Sequence, residues 1–304
     1  MRQTSFRGVF TAMITPFTKK DNVDEEMLRQ IIEAQIVSGV DGLVPCGTTG
    51  ESPTLSHDEH DRVIALTVKY ANGRVPVIAG TGSNATSEAV RLSRHAQAVG
   101  ADAVLLVNPY YNKPTQKGLY LHFKAIADSV DIPCILYNIK GRTAVNIETE
   151  TVQALSKACP NIVGVKEASG SLDQMKAVIA GTHDHFNVLS GDDNLSLDLI
   201  EAGGDGVISV ASNICPSYIS KMIHLSLDGK FAEARAMEAN LSSFFQSCFL
   251  ETNPIPIKTA MARYGWCEES FRLPMCTFEH EENREKLYTE LDKLDKIGAL
   301  TRRY

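Results

Sequence analysis

The sequence predicts an α/β protein, a closed (β/α)8 barrel with a C-terminal helical extension, and three observations carry that prediction. Eight short apolar runs recur along roughly the first 215 of 304 residues. Each gap between them is long enough for a crossover helix, and several show apolar residues at spacings of three and four. Beyond about residue 216 the strand-type runs stop and only helical patterns continue.

The runs are GVFTAMIT (8–15), GLVPCG (42–47), VPVIAGTG (75–82) and AVLLVNP (103–109), then PCILYN (133–138), IVGVKEAS (162–169), FNVLSGDD (186–193) and GVISVAS (206–212). Such runs suit strands buried on both faces, the habit of parallel sheets. DEEMLRQIIEAQIVSG and SHDEHDRVIALTVKYANG read as amphipathic helices. Ser56 and Glu59 form a capping box at the start of the second, and Gly39 and Gly73 fit helix stops. Strand–helix units with no long polar linker between them favour a barrel of the TIM type. The alternative is a doubly wound open sheet. Against it, no G-x-G-x-x-G follows an early strand, and GTGSNA at 80–85 lacks the Lys-Ser/Thr of a phosphate loop. Residues 1–215 are assigned to the barrel strands and most crossover helices, and 216–304 to the last barrel helix and the extension. Within the latter, 217–228, 230–249, 254–264 and 280–297 read as helices, punctuated by Pro254, Pro256 and Pro274.

Composition narrows the function. A hydrophobic content of 43% over this length can bury a large core. A formal net charge of −7, with Lys and Arg scattered except in the terminal TRRY, argues against general nucleic-acid binding. The seven cysteines include no C-x-x-C pair, so neither a disulfide framework nor a zinc ribbon is expected. No stretch approaches the roughly 20 apolar residues of a membrane span. The opening MRQTSFRGVF lacks a secretory apolar region, and a reducing cytoplasm is the expected setting.

In a barrel the chemistry collects at the carboxyl ends of the strands. Lys166 stands there, extending an apolar run in which an unpartnered ammonium group is costly. Its stem could equally run along apolar surface to water. Around it the strand ends bring GTTGES (47–52), NPYYNKPTQ (108–116), YNIKGRT (137–143), GDD (191–193) and SVASN (209–213). One chemistry uses the set. An unprotonated lysine amine attacks a ketone to form a Schiff base, and the iminium then serves as an electron sink. A nearby tyrosine can shuttle protons, a Gly-Thr-Thr-Gly turn suits a small carboxylate, and an arginine fork holds a second one. Taken singly, Thr48 and Thr49 could merely satisfy a turn, Tyr137 could be a core tyrosine, and Arg142 a solvated charge. Tyr110 and Tyr111 could be an aromatic interface plug. The chemical reading accounts for all of them together and needs no cofactor.

From TAMITPF at 11–17 to RLPM at 272–275 the chain resembles the dihydrodipicolinate synthase family of pyruvate-dependent class I aldolases. GTTGES, PYYNKPTQ, YN-x-x-GRT, GVKEAS, LSGDD and GVISV occur in the family's order and spacing. The resemblance implies that Lys166 forms the Schiff base with pyruvate, with Tyr137 as proton relay and Thr48 linking it to Tyr111. That last tyrosine reaches a neighbouring subunit's site in the family. It further implies that Thr49 binds the pyruvate carboxylate and Arg142 that of L-aspartate 4-semialdehyde, while Gly191 and Ile208 shape the pocket through their backbone. One departure stands out: where the family commonly has proline this chain has Lys140, which is expected to loosen the loop presenting Arg142. Relatives that act on sugar-derived keto acids lack the matching arginine, which favours the synthase; such an aldolase, or a silent amino-acid-binding barrel, is the alternative.

SPTLSHDEH at 52–60 raises a second site. His57 and His60 could share a metal, but no third ligand at suitable spacing is evident, and none is expected. The resemblance implies instead an allosteric site for L-lysine, formed by Ser52, Pro53, His57, His60, Asn84, Glu88 and Tyr110. It also implies a homotetramer built as a dimer of dimers.

Overall fold

The computed structural model describes residues 6–301. Residues 1–5 of the amino-terminal stretch, and 302–304 of the basic TRRY ending, lie outside the described residues. All eight predicted strands form: β1 (Gly8–Ala12), β2 (Gly42–Val44), β3 (Ile78–Gly80), β4 (Ala103–Val107), β5 (Cys134–Asn138), β6 (Ile162–Glu167), β7 (Asn187–Ser190) and β8 (Gly206–Ser209). They alternate with α1 (Glu25–Val37), α2 (His57–Ala71), α3 (Thr86–Ala98), α4 (Gln116–Ala127), the one-turn α5 (Lys140–Thr143), α6 (Thr149–Ala158), α7 (Leu172–Gly181) and α8 (Ser196–Glu201). The chain continues through α9 (Pro216–Leu227), α10 (Phe231–Ser247), α11 (Ile255–Arg263) and α12 (Glu281–Lys296).

All strand pairs are parallel, in the order β2-β1-β8-β7-β6-β5-β4-β3. The two outer strands meet through a single parallel bridge, Leu43 to Val77, and the Gly80 N–H donates to the Pro45 carbonyl at 3.0 Å. That seam closes the barrel, and the open-sheet alternative falls. The period-2 alternation of each strand divides the core. Phe10, Ala12, Ile78, Leu105, Ile135, Tyr137, Leu189 and Ile208 belong to an inner cluster. Val9, Val104, Leu136, Val165 and Val207 point outward to pack with the helices.

Helix signals match the sequence reading. Ser56 and Glu59 make the reciprocal capping box of α2. At its other end Asn72 itself takes the left-handed cap, followed by Gly73 at φ 67°. Cys46, Cys134, Cys159, Cys215 and Cys248 are buried as small apolar side chains, and no cysteine among the described residues is paired. Among the described residues no helix is long and apolar enough to cross a membrane.

The C-terminal helices grip the barrel through charge. Lys258 of α11, with no exposed surface, donates to Glu51 Oε1 at 2.6 Å in the turn after β2. Its ammonium also lies 4.0 Å from the centre of the Phe17 ring. Burial pulls the Lys258 ammonium below the usual lysine range, and Glu51 opposes that pull. Beside it Arg272 donates to both oxygens of Glu59, at 2.6 and 2.7 Å, and to Asp21 Oδ1 at 2.9 Å.

Removing one partner of a buried pair strands the other charge. Lys258→Met is expected to cost about 3–5 kcal/mol in urea unfolding, and Glu51→Gln/Lys258→Met to recover part of it. A single-variant loss below about 1 kcal/mol, the range of an exposed pair, would contradict this. Hydrogen bonds from Arg272 hold Glu59 down at about 2. A depressed carboxylate contributes stability that is complete above its unfolded value and lost as pH falls through its folded one. Stability is therefore expected to fall from about pH 4.3 towards 2, and Glu59→Gln to flatten that limb of a pH series.

Candidate active site

The register of β5 and β6 sets Tyr137 directly beside Lys166, both pointing into the barrel at its carboxyl end. The Lys166 amine sits 4.2 Å from the centre of the Tyr137 ring, and the residue is 5% exposed. No carboxylate among the described residues lies within ion-pair distance of it. Asp192 and Asp193 are near enough to feel its charge, although burial is the larger influence and raises both carboxyls. Asp193 is itself tied down, accepting from the Val210 and Ala211 amides at 3.0 Å.

Gly191 borders the lysine closely. A Cβ there would lie 2.4 Å from Ala168 Cβ and 3.1 Å from Lys166 Cε. Sequence reading places it as a backbone wall, and the geometry gives the reason glycine is required. Ile208 is fully buried in the inner cluster with Tyr137.

After β2 the chain turns sharply at Cys46, with φ 55°, into Gly47-Thr48-Thr49-Gly50. The turn closes through Gly50 N–H to the Gly47 carbonyl at 3.1 Å and Glu51 N–H to that of Thr48 at 3.1 Å. Thr15 Oγ1 donates to the Gly50 carbonyl at 2.7 Å. Thr49 is buried and its Oγ1 accepts from Asn253 Nδ2 at 3.0 Å. Arg142, carried by α5, donates from Nη2 to the Asn253 main-chain carbonyl at 3.0 Å. Lys140 opens a helical turn closed by the Ala144 N–H on its carbonyl at 2.9 Å, with Ala144 in the left-handed cap. The N–H of the first helical position joins no ladder, so proline and lysine can both occupy it without loss of a hydrogen bond.

Two adjoining cavities occupy the barrel mouth. The deeper, about 40 Å³, is lined by Lys166, Gly191, Thr48, Thr49, Tyr137, Arg142 and Asn253 among others. The larger, about 460 Å³, shares Thr48, Tyr137 and Arg142 and extends to Ser52, Pro53, His57, His60, Glu88 and Tyr110. There His57 Nε2 meets Glu88 Oε1 at 2.8 Å, and Ser83 Oγ donates to the other Glu88 oxygen. The Ser83 bond is the main reason Glu88 is held below the usual carboxylate range. Burial lowers His60 to about 4. Asn84 lies outside the cavity lining and supports it, its Nδ2 donating to the Tyr110 carbonyl at 3.1 Å. No three His, Cys, Asp or Glu side chains among the described residues group as metal ligands.

Tyr111 is not brought to these residues within one chain. It is 90% exposed, at φ 73°, a left-handed conformation uncommon for a bulky side chain. Sequence reasoning missed Asn253, which touches both Thr49 and Arg142. It lies between 230–249 and 254–264, the two stretches that read as helices, and so reads only as a break between them.

A family profile described as the Dihydrodipicolinate synthetase family matches residues 5–293. A 4-hydroxy-tetrahydrodipicolinate synthase of Endomicrobium trichonymphae is 55% identical, covering 93% of this chain and 96% of that protein. The crystal structure of dihydrodipicolinate synthase from Aquifex aeolicus superposes with a TM-score of 0.94 at 47% identity, covering 98% of this chain and 100% of that one. The corresponding enzyme of Cyanidioschyzon merolae, solved with lysine bound, gives 0.93 at 37% identity, over 96% of this chain and 99% of that one. The chain belongs to the dihydrodipicolinate synthetase family and is an enzyme, a lyase.

Proposed function

We propose that the protein condenses pyruvate with L-aspartate 4-semialdehyde to 4-hydroxy-tetrahydrodipicolinate, and that Lys166 carries the chemistry. The observation behind this reading is the Lys166 amine against the Tyr137 ring in a small cavity that also carries Thr48, Thr49, Arg142 and Asn253. The amine adds to the keto carbon of pyruvate and water leaves, giving an iminium. Loss of a methyl proton yields an enamine, whose carbon attacks the aldehyde. The amino group of the second substrate then displaces Lys166 as the ring closes, regenerating the free amine. The iminium is the electron sink, so the cycle requires no further cofactor.

Tyr137 relays the protons of the addition and dehydration steps. Thr48 links it to a Tyr111 supplied by a neighbouring copy of the chain, a role that suits the exposure of Tyr111 here. Thr49 takes the pyruvate carboxylate and Arg142 the carboxylate of the aldehyde. Gly191 and Ile208 frame the lysine. A dimer completed by Tyr111 would build the homotetramer as a dimer of dimers, working in the cytoplasm.

We further propose that L-lysine inhibits from the larger cavity. Glu88 suits an ammonium group, and Ser52, Pro53, His57, His60, Asn84 and Tyr110 form or support the surrounding wall. A lysine-bound relative with the same fold supports this reading.

The central test is trapping. Protein incubated with pyruvate and reduced with borohydride should gain one pyruvate-sized mass on the Lys166 peptide. An unmodified, folded protein would remove the lyase reading. Gly191→Ala should overpack the lysine, at a cost of about 1–3 kcal/mol in stability, and slow trapping relative to the parent. Equal trapping rates would show that the space beside Lys166 is not limiting. Isothermal titration with L-lysine should give saturable binding that Glu88→Gln weakens about 10-fold or more, the value of a charge-assisted contact. Activity unchanged at millimolar lysine, with no heat of binding, would dismiss the inhibitory site.

A further inference from the structure

Asn253 joins α10 to α11 and is 4% exposed, yet it reaches the deeper cavity beside Lys166. Its two contacts there differ in kind. The main-chain carbonyl accepts from Arg142, whereas the side-chain Nδ2 donates to Thr49 Oγ1, each at 3.0 Å. Its Oδ1 is buried without a partner among the described residues.

A threonine hydroxyl offers one proton and two lone pairs. A donor on Thr49 Oγ1 occupies a lone pair and leaves the hydroxyl proton to find an acceptor elsewhere. The opposite amide orientation would present Oδ1, take that proton and leave Thr49 with nothing to give an anion. An aspartate would do the same and add a charge. The amide thus decides whether Thr49 is a donor or is already spent.

We infer that Asn253 is a positioning residue for the keto-acid carboxylate, acting through Thr49 by keeping its hydroxyl proton directed at the substrate. The inference rests on the reading that Thr49 binds that carboxylate. The Arg142 contact, being to the main chain, does not depend on this side chain.

The test uses the full-length protein, pyruvate as probe, and the pyruvate concentration giving half-maximal borohydride trapping. Asn253→Ala should raise that concentration about 2- to 12-fold, the range of one neutral hydrogen bond. In a Thr49→Val background, where no hydroxyl remains to be directed, the same substitution should raise it no further. Asn253→Asp should raise it more than Asn253→Ala does, and it carries the test if the alanine variant does not fold. An unchanged half-saturation, or an effect that persists undiminished beside Thr49→Val, overturns the inference and leaves Asn253 a structural residue. Parent protein that is not trapped at all defeats the functional reading itself, and the inference with it. A trapped parent with unmoved variants defeats only the inference.

Discussion

The ion pair between Glu51 and Lys258 is the constraint on which the site's geometry depends. Glu51 directly follows the Gly-Thr-Thr-Gly turn, and Lys258 sits in the first helix after Asn253. Joining them at 2.6 Å fixes where the C-terminal helices lie against the end of β2. The desolvation of two charges makes such a pair a poor source of net stability. Its force lies in what it forbids, because any other docking of the tail would leave a buried charge unpaired. Arg272 adds a second clamp from farther along the tail. Its main-chain N–H donates to Glu51 Oε2 at 3.2 Å, and its guanidinium lies 4.3 Å from the centre of the Phe17 ring.

The same economy governs β5 and β6. Tyr137 and Lys166 face the barrel interior, so their chain neighbours Asn138 and Glu167 must face outward. There Asn138 Nδ2 donates to both Glu167 oxygens, at 3.1 and 3.2 Å, while the Gln174 amide and the Ser169 N–H donate to the same carboxylate at 3.0 and 2.8 Å. Burial raises the Glu167 carboxyl, and these bonds partly offset it. Outward polar contacts thereby hold the register that brings the two inward groups together. A one-residue slip would exchange the faces and dismantle both sets.

Much of this was legible in the sequence because it rests on local rules. A strand buried on both faces must be apolar throughout, so eight runs announced eight strands. A capping box is a four-residue device, so Ser56 and Glu59 could be read directly. Lys166 drew attention because it broke a run whose physics excludes charge. Asn253 and Lys258 gave no such sign. Each acquires meaning from a partner more than 200 residues away, and no local pattern encodes that distance.

Thr48, Tyr137 and Arg142 form a wall common to both cavities. Such a party wall ties the histories of the two chambers. A substitution that reshapes one chamber through these side chains also alters the other, so neither can drift alone. Divergence within this lineage should therefore concentrate where the chambers part, around His57 and Glu88, and spare Gly191, where a side chain would meet Ala168 and Lys166. The shared wall would accept change only in compensated steps.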